Sequence, residues 1–124
     1  HSQKYRTRLY EQLKRAKVMM VTCPTAWIDT RRSNMISLSH NSMTPVDEMI
    51  PAGVTVALGT DNVCDAMVPW CSGDMWHELQ LLATGCRFDD FENLVKIASV
   101  NGRKVLGLDP YDSETAPVTA NKKE

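Results

Sequence analysis

The stretch GTDNVCDAMVPW, residues 59–70, places two aspartates and an amide directly after an apolar run. That run is VTVAL, residues 54–58, which is typical of a strand buried on both faces. A segment that only turns the chain uses Gly, Asn and Ser, whereas Asp61, Asn62 and Asp65 bring groups that transfer protons and orient polar substrates. The pattern predicts a charged site at the end of this strand.

The four cysteines do not have the spacing of a structural zinc site. They are Cys23, Cys64, Cys71 and Cys86, with no C-x₂-C pair among them. A zinc site of that kind needs closely spaced ligand pairs, because one turn then delivers two thiolates to the ion. We interpret the cysteines as reduced thiols of a cytoplasmic protein.

Helices and strands alternate along the chain. The predicted elements up to the second strand are a helix over 4–17, a strand over 18–23, a loop over 25–43, a short helix capped by Thr44 and a strand over 54–58. Two helices follow: one is capped by Ser72 or Asp74 and ends at Gly85, and the other runs from Asp89 or Asp90 toward Leu106. An irregular polar tail is predicted over 109–124. This order indicates βαβ units and a parallel sheet. Two strands are too few for such a sheet, so we expect a further N-terminal portion.

Composition excludes several classes of partner. The net charge is −1, so there is no electrostatic reason to expect nucleic acid or an anionic membrane. The apolar runs are too short for a helix that crosses a bilayer. A hydrophobic content of 43% is ordinary for a globular domain.

Residues 18–108, together with the helix that precedes them, resemble the closing part of the amidohydrolase superfamily, in its cytosine-deaminase-like branch. The matching pieces are KYRTRLYEQLKRAKVMMVTCP, VDEMIPAGVTVALGTDNVCDAMVPWCSGDM and LVKIASVNGRKVLGL. The middle piece is the specific one, because it joins a strand ending in Asp to a second Asp, a Pro and a capped helix. The resemblance implies an α/β fold, the last third of a (β/α)₈ TIM barrel, over residues 1–108.

In this family, the aspartate that matches Asp61 binds a divalent metal, zinc or iron, and takes the proton from the water bound to it. A carboxylate beside such an ion can accept and relay that proton. By the same resemblance Asn62 and Asp65 contact the substrate, and Trp70 lines the pocket. Met67 stands where relatives often place an aromatic residue against the substrate ring.

Each of these residues also has a simpler interpretation. Asp61 could be a turn or N-cap aspartate. Asp65 and Asn62 could order the loop through backbone N–H groups. Trp70 could pack against the following helix as a hydrophobic staple.

The other metal ligands of the family are absent from this sequence. There is no H-x-H pair, and the histidines are His1, His40 and His77. One carboxylate cannot hold a catalytic metal, which needs about three protein ligands. We therefore expect the chain to be a fragment of a deaminase-like hydrolase of non-peptide C–N bonds. The small-molecule substrate would be a cyclic amidine such as a pyrimidine or triazine. We expect this chain alone to be inactive. The alternative is a non-catalytic barrel module that pairs with itself or with a partner chain.

Overall fold

A computed structural model describes residues 2–29 and 43–108 of the chain. The elements are α1 (Gln3–Arg15), β1 (Met20–Thr22), α2 (Pro24–Asp29), α3 (Val46–Met49), β2 (Val56–Leu58), α4 (Met75–Cys86), α5 (Phe91–Ala98) and α6 (Val100–Val105). The predicted mixture of helices and parallel strands is confirmed. The partial TIM barrel stays a prediction, since two strands do not define a barrel. The predicted tail, His1 and His40 lie outside the described residues.

The two strands form a parallel sheet in which Met20 pairs with Val56 and Thr22 with Leu58. The pairing continues one residue further, because the amide of Gly59 donates a hydrogen bond of 2.8 Å to the carbonyl oxygen of Thr22. In a parallel pair the carboxyl ends of both strands lie at the same edge. The segments that follow Thr22 and Leu58 therefore start side by side.

Strand β2 is buried on both faces, as its continuous apolar sequence predicts. Helices α4, α5 and α6 all pack against it. The buried core around it consists of Tyr10, Val46, Met49, Val54, Val56, Leu58, Leu82, Leu94 and Ile97. Because these residues come from five helices and strands and from the segment before β2, the position of β2 is set by the whole described fold.

Helix α1 is attached to α3 by a polar contact as well as by packing. The Nε and Nη2 atoms of Arg6 donate hydrogen bonds of 2.8 Å to the two carboxylate oxygens of Glu48. The hydroxyl of Tyr10, itself a core residue, donates to Glu48 Oε2 at 3.0 Å. This bidentate geometry is the strong form of an arginine–carboxylate pair, and it attaches α1 to α3.

Two of the predicted helix starts are confirmed by their hydrogen bonds. Asp74 Oδ1 accepts from the amide of Trp76 at 2.8 Å, and Asp90 Oδ1 accepts from the amide of Asn93 at 3.0 Å. An aspartate at the N-cap satisfies an amide that has no partner inside the helix. Of the two predicted alternatives for each cap, Asp74 and not Ser72 caps α4, and Asp90 and not Asp89 caps α5.

Other local predictions differ from the structure. Thr44 does not cap α3, which begins after Pro45 without a side-chain cap, and Thr44 Oγ1 instead accepts from Thr22 Oγ1 at 2.9 Å. The predicted loop over 25–43 contains α2 in its first part. The helix predicted to run to Leu106 is interrupted at Ser99, where φ is −134° and ψ is −89°. Within residues 2–29 and 43–108, no helix combines the length and apolarity needed to cross a membrane.

Candidate functional site at the strand ends

The candidate site lies where the chain leaves β1 and β2. Cys23 follows β1, and Gly59 follows β2 at a point of close approach. A Cβ atom at Gly59 would lie 2.8 Å from Cγ1 of Val21 and 3.2 Å from Sγ of Cys23. Only glycine fits between the strand ends without displacing a neighbour, and Asp61 comes two residues later.

Asp61 lies at this edge of the sheet, as the sequence predicts. The residue is exposed, and its φ of +60° lies in the left-handed region, which aspartate tolerates better than most residues. No hydrogen bond from another described residue reaches its carboxylate. Its carboxylate is therefore available to solvent, a metal ion or a substrate, but the left-handed turn also fits the simpler interpretation of a turn aspartate.

The thiol of Cys23 is the neighbour of Asp61 across the strand ends. Burial raises the pKa of this thiol, and the charge of Asp61 raises it further, while a hydrogen bond from the Asp61 backbone acts in the opposite direction. The thiol is therefore a neutral group beside the aspartate. The prediction from sequence missed Cys23, although its place directly after a strand was the available signal.

Asn62 and Asp65 contact each other in the loop after β2. Asn62 Nδ2 donates to Asp65 Oδ2, and Asp65 Oδ1 accepts from the amides of Met67 and Val68, each at 2.8 Å. These bonds, the one from Asn62 first, hold the pKa of Asp65 below its ordinary value. Both residues therefore order the loop, and their predicted contact with a substrate stays a prediction.

Met67 and Trp70 are the apolar residues predicted to line a substrate pocket. Their side chains are 53% and 81% exposed. Because it is so exposed, Trp70 is not packed beneath α4 as a staple would be. Both therefore lie largely at the surface of the described part of the chain, away from a pocket on α1 that is lined by Tyr5, Arg8, Leu9 and Gln12.

The described residues do not assemble a metal site. Among residues 2–29 and 43–108 no three side chains of His, Cys, Asp or Glu are grouped so that they could hold an ion. His77 is an exposed residue of α4. Asp61 is therefore one ligand at most, and the described chain does not fit a metal without further donors.

The structure adds a buried glutamate that the sequence analysis did not identify. Glu78 of α4 is 1% exposed and lies beneath the strand ends. Its Oε2 accepts from the amide of Thr25 at 2.8 Å, and its Oε1 lies 3.6 Å from Sγ of Cys71. The available signal was its helical spacing from Met75 and Leu82, which places an acid on the apolar face of α4.

Comparisons with known proteins show which proteins this chain is similar to. No protein-family model matches it. Two proteins of Haemophilus influenzae, each described as an uncharacterized protein, are similar in sequence. One is 65% identical over 43 residues, which are 35% of this chain and 96% of that protein. The other is 53% identical over 51 residues, which are 41% of this chain and only 18% of that protein.

The fold is similar to that of a solved enzyme. The match is to the crystal structure of 5-methylcytosine deaminase from Klebsiella pneumoniae liganded with 5-fluorocytosine, with a TM-score of 0.71 and 22% sequence identity. It covers 86% of this chain and 27% of the deaminase. The chain thus spans about a quarter of the length of the solved deaminase chain to which it is similar.

Proposed function

We propose that this chain, which belongs to the same protein family as the short Haemophilus influenzae protein, is part of a deaminase-like hydrolase of non-peptide C–N bonds. The substrate class would be a cyclic amidine such as a pyrimidine or triazine. The observation that carries the proposal is the place of Asp61. It stands at the carboxyl edge of two parallel strands, in a chain whose fold is similar to part of a deaminase.

Asp61 would be the proton acceptor of the reaction. Hydrolysis breaks the bond between a ring carbon and its amino group. The attacking water must lose a proton as it binds the ring carbon, and the leaving amine must gain one. A carboxylate at the strand ends can take the first proton and deliver the second. The exposure of Asp61 and the absence of a hydrogen bond from the described residues to its carboxylate support this role.

Around Asp61, the other candidate residues would hold the loop and contact the substrate. Asn62 and Asp65 order the segment that follows β2, and their remaining lone pairs and amide hydrogens would be available to a substrate beside Asp61. Met67 and Trp70 would supply apolar contacts to the ring from the same loop. A divalent metal such as zinc or iron is expected for this kind of hydrolase, where it would activate the water. Asp61 would be this chain's contribution to it, with the other ligands outside the described residues.

The test is the substitution Asp61→Asn in the complete metal-loaded protein. It keeps the shape of the side chain and removes its ability to accept a proton. Ammonia release from 5-methylcytosine, cytosine and an aminotriazine should fall about 100-fold or more, the size expected for loss of a general base. Bound metal, measured by elemental analysis, should fall as well if Asp61 is a ligand.

The matched control is Asp89→Asn, which changes an exposed aspartate between α4 and α5. This variant should retain wild-type turnover and metal content. Equal turnover in the Asp61 and Asp89 variants would contradict the proposed role of Asp61. Absence of ammonia release from all three compounds in the wild-type protein would contradict the substrate class.

A second candidate function is favoured by the incomplete ligand set of the described residues. In this alternative the chain is a non-catalytic module whose open strand edges pair with another copy or with a partner chain. Size-exclusion chromatography with light scattering separates the two proposals. A monomer at all concentrations would count against self-pairing, and an oligomer without deaminase activity would support it.

A further inference from the structure

Glu78 is a buried acid with no cation paired to it among the described residues. Its side chain is 1% exposed, and the two ion pairs of the described chain, Arg6–Glu48 and Glu92–Lys96, lie elsewhere. Glutamate is almost never fully buried unless its carboxylate is bonded, because desolvation of the charge is costly. Because burial of this carboxylate is costly, the hydrogen bonds that compensate for it hold their donors in place.

The partners of Glu78 come from the segments that follow both strands. The amide of Thr25, three residues after the end of β1, donates to its Oε2 at 2.8 Å. The thiol of Cys71, near the end of the loop after β2, lies 3.6 Å from its Oε1. One carboxylate thus connects the two chain segments that leave the sheet at the candidate site.

The connection continues from Cys71 to the residue next to Asp61. Cys71 is fully buried, and its Sγ lies 3.4 Å from the carbonyl oxygen of Thr60. Its own carbonyl oxygen accepts from the amide of Cys64 at 2.9 Å. Cys71 therefore contacts Thr60, directly before Asp61, and Cys64, two residues after Asn62.

We propose that Glu78 is the positioning residue of the Asp61 loop, residues 59–73. Its carboxylate fixes the backbone at Thr25 on one side and the thiol of Cys71 on the other, and Cys71 in turn holds Thr60 next to Asp61. The proposal deepens the proposed function, because it assigns the group that sets where the proton acceptor stands. It does not require Glu78 to contact the substrate.

The titration of Cys71 provides a readout that a purely structural role would not change. Burial raises the pKa of this thiol, and the charge of Glu78 and a hydrogen bond to it raise it further. The backbone of Gly73 acts in the opposite direction, and Cys64 and Cys23 are further titratable neighbours of Cys71. In Glu78→Gln the burial is kept while the negative charge is removed, so the thiol should ionise at lower pH.

Two substitutions on the full chain test the proposal. Glu78→Leu removes the acceptor of the Thr25 amide, so hydrogen exchange at Thr25 and across residues 60–71 should become about tenfold faster or more. Glu78→Gln keeps an acceptor and the shape of the side chain, so exchange at Thr25 should change little. In that variant Cys71 should be alkylated at least about threefold faster at pH 7, as read for each cysteine by mass spectrometry.

The matched control is Glu92, which also lies in the first turn of a helix but whose side chain is 80% exposed. Glu92→Leu and Glu92→Gln should leave both readouts unchanged. If Glu78→Leu does not fold, the alkylation of Cys71 in Glu78→Gln decides. The proposal would be overturned if a folded Glu78→Leu variant showed wild-type hydrogen exchange. It would also be overturned if the pH dependence of Cys71 alkylation were unchanged in Glu78→Gln.

These readouts separate this proposal from the proposed function. Exchange and alkylation need no substrate, so they test Glu78 even if the protein releases no ammonia. Where the complete protein is active, Glu78→Leu should lower kcat several-fold, because the loop that carries Asp61 and the proposed substrate contacts is no longer held. An active protein in which kcat is unaffected would contradict the positioning role and leave the proposed function standing.

Discussion

Asn101 Nδ2 donates a hydrogen bond of 2.8 Å to the carbonyl oxygen of Val56. The bond connects α6 to β2 across 45 residues of sequence, and it satisfies a backbone acceptor of a residue that is fully buried. The side chain of Asn101 thus supplies a donor to a backbone acceptor of the buried strand.

This contact predicts the effect of Asn101→Ala. Removal of the amide leaves a buried carbonyl oxygen without this donor, which should lower the free energy of unfolding by about 1–3 kcal/mol. Urea denaturation measures it. The control is Lys104→Ala, an exposed change on the same helix that should stay within about 0.5 kcal/mol of wild type. Equal stability of the two variants would show that water or another group replaces Asn101.

The close approach at Gly59 predicts that Gly59→Ala is destabilising by about 1–3 kcal/mol, the usual cost of forcing an added methyl group into a packed site. The added Cβ would lie 2.8 Å from Cγ1 of Val21. Val21→Ala removes that atom, so the double variant should recover part of the loss. A double-mutant cycle measures the coupling, and strictly additive effects would mean that the backbone relaxes instead.

The pair of Arg6 and Glu48 predicts an acid dependence of stability. The hydrogen bond from Arg6 lowers the pKa of Glu48 below its ordinary value, and the bond from Tyr10 adds to this. The contribution of this carboxylate is therefore present above about pH 4.3, the ordinary value for glutamate, and is lost as pH falls through the lowered pKa of the folded state. Glu48→Gln should make the acid decline in stability less steep.

The check on this prediction is a second variant that changes the partner. Arg6→Met should also reduce the acid slope of the free energy of unfolding, because the Glu48 carboxyl then titrates closer to its ordinary range. Urea denaturation at a series of pH values measures both slopes. A wild-type slope in both variants would assign the acid dependence to other carboxylates.

The exposed position of Met67 predicts that its substitution changes substrate binding without changing stability. Its side chain is 53% exposed, so Met67→Ala should change the free energy of unfolding by less than about 0.5 kcal/mol. If Met67 contacts the substrate ring in the active protein, the same change should raise KM about tenfold, while Met67→Leu, which conserves volume, should stay near wild type. Unchanged KM in both variants would remove Met67 from the substrate site.

Several features that depend on short stretches of sequence were predicted correctly. The run VTVAL contains the buried strand β2, and Asp74 and Asp90 cap α4 and α5 because an N-cap bonds an amide two or three residues away. The place of Asp61 after β2 follows in the same way from the order of residues along the chain.

Contacts between distant residues were decided only by the tertiary structure. Thr44 has the sequence context of a helix cap, yet it bonds Thr22, which is 22 residues away. Glu78 has an ordinary place for an acid in the first turn of a helix, but the packing of α4 against α2 buries it and brings it to Thr25, 53 residues away. Local propensity is settled by neighbours in sequence. Burial and long-range hydrogen bonds depend on which faces meet when helices and strands pack, and no short stretch of sequence contains that information.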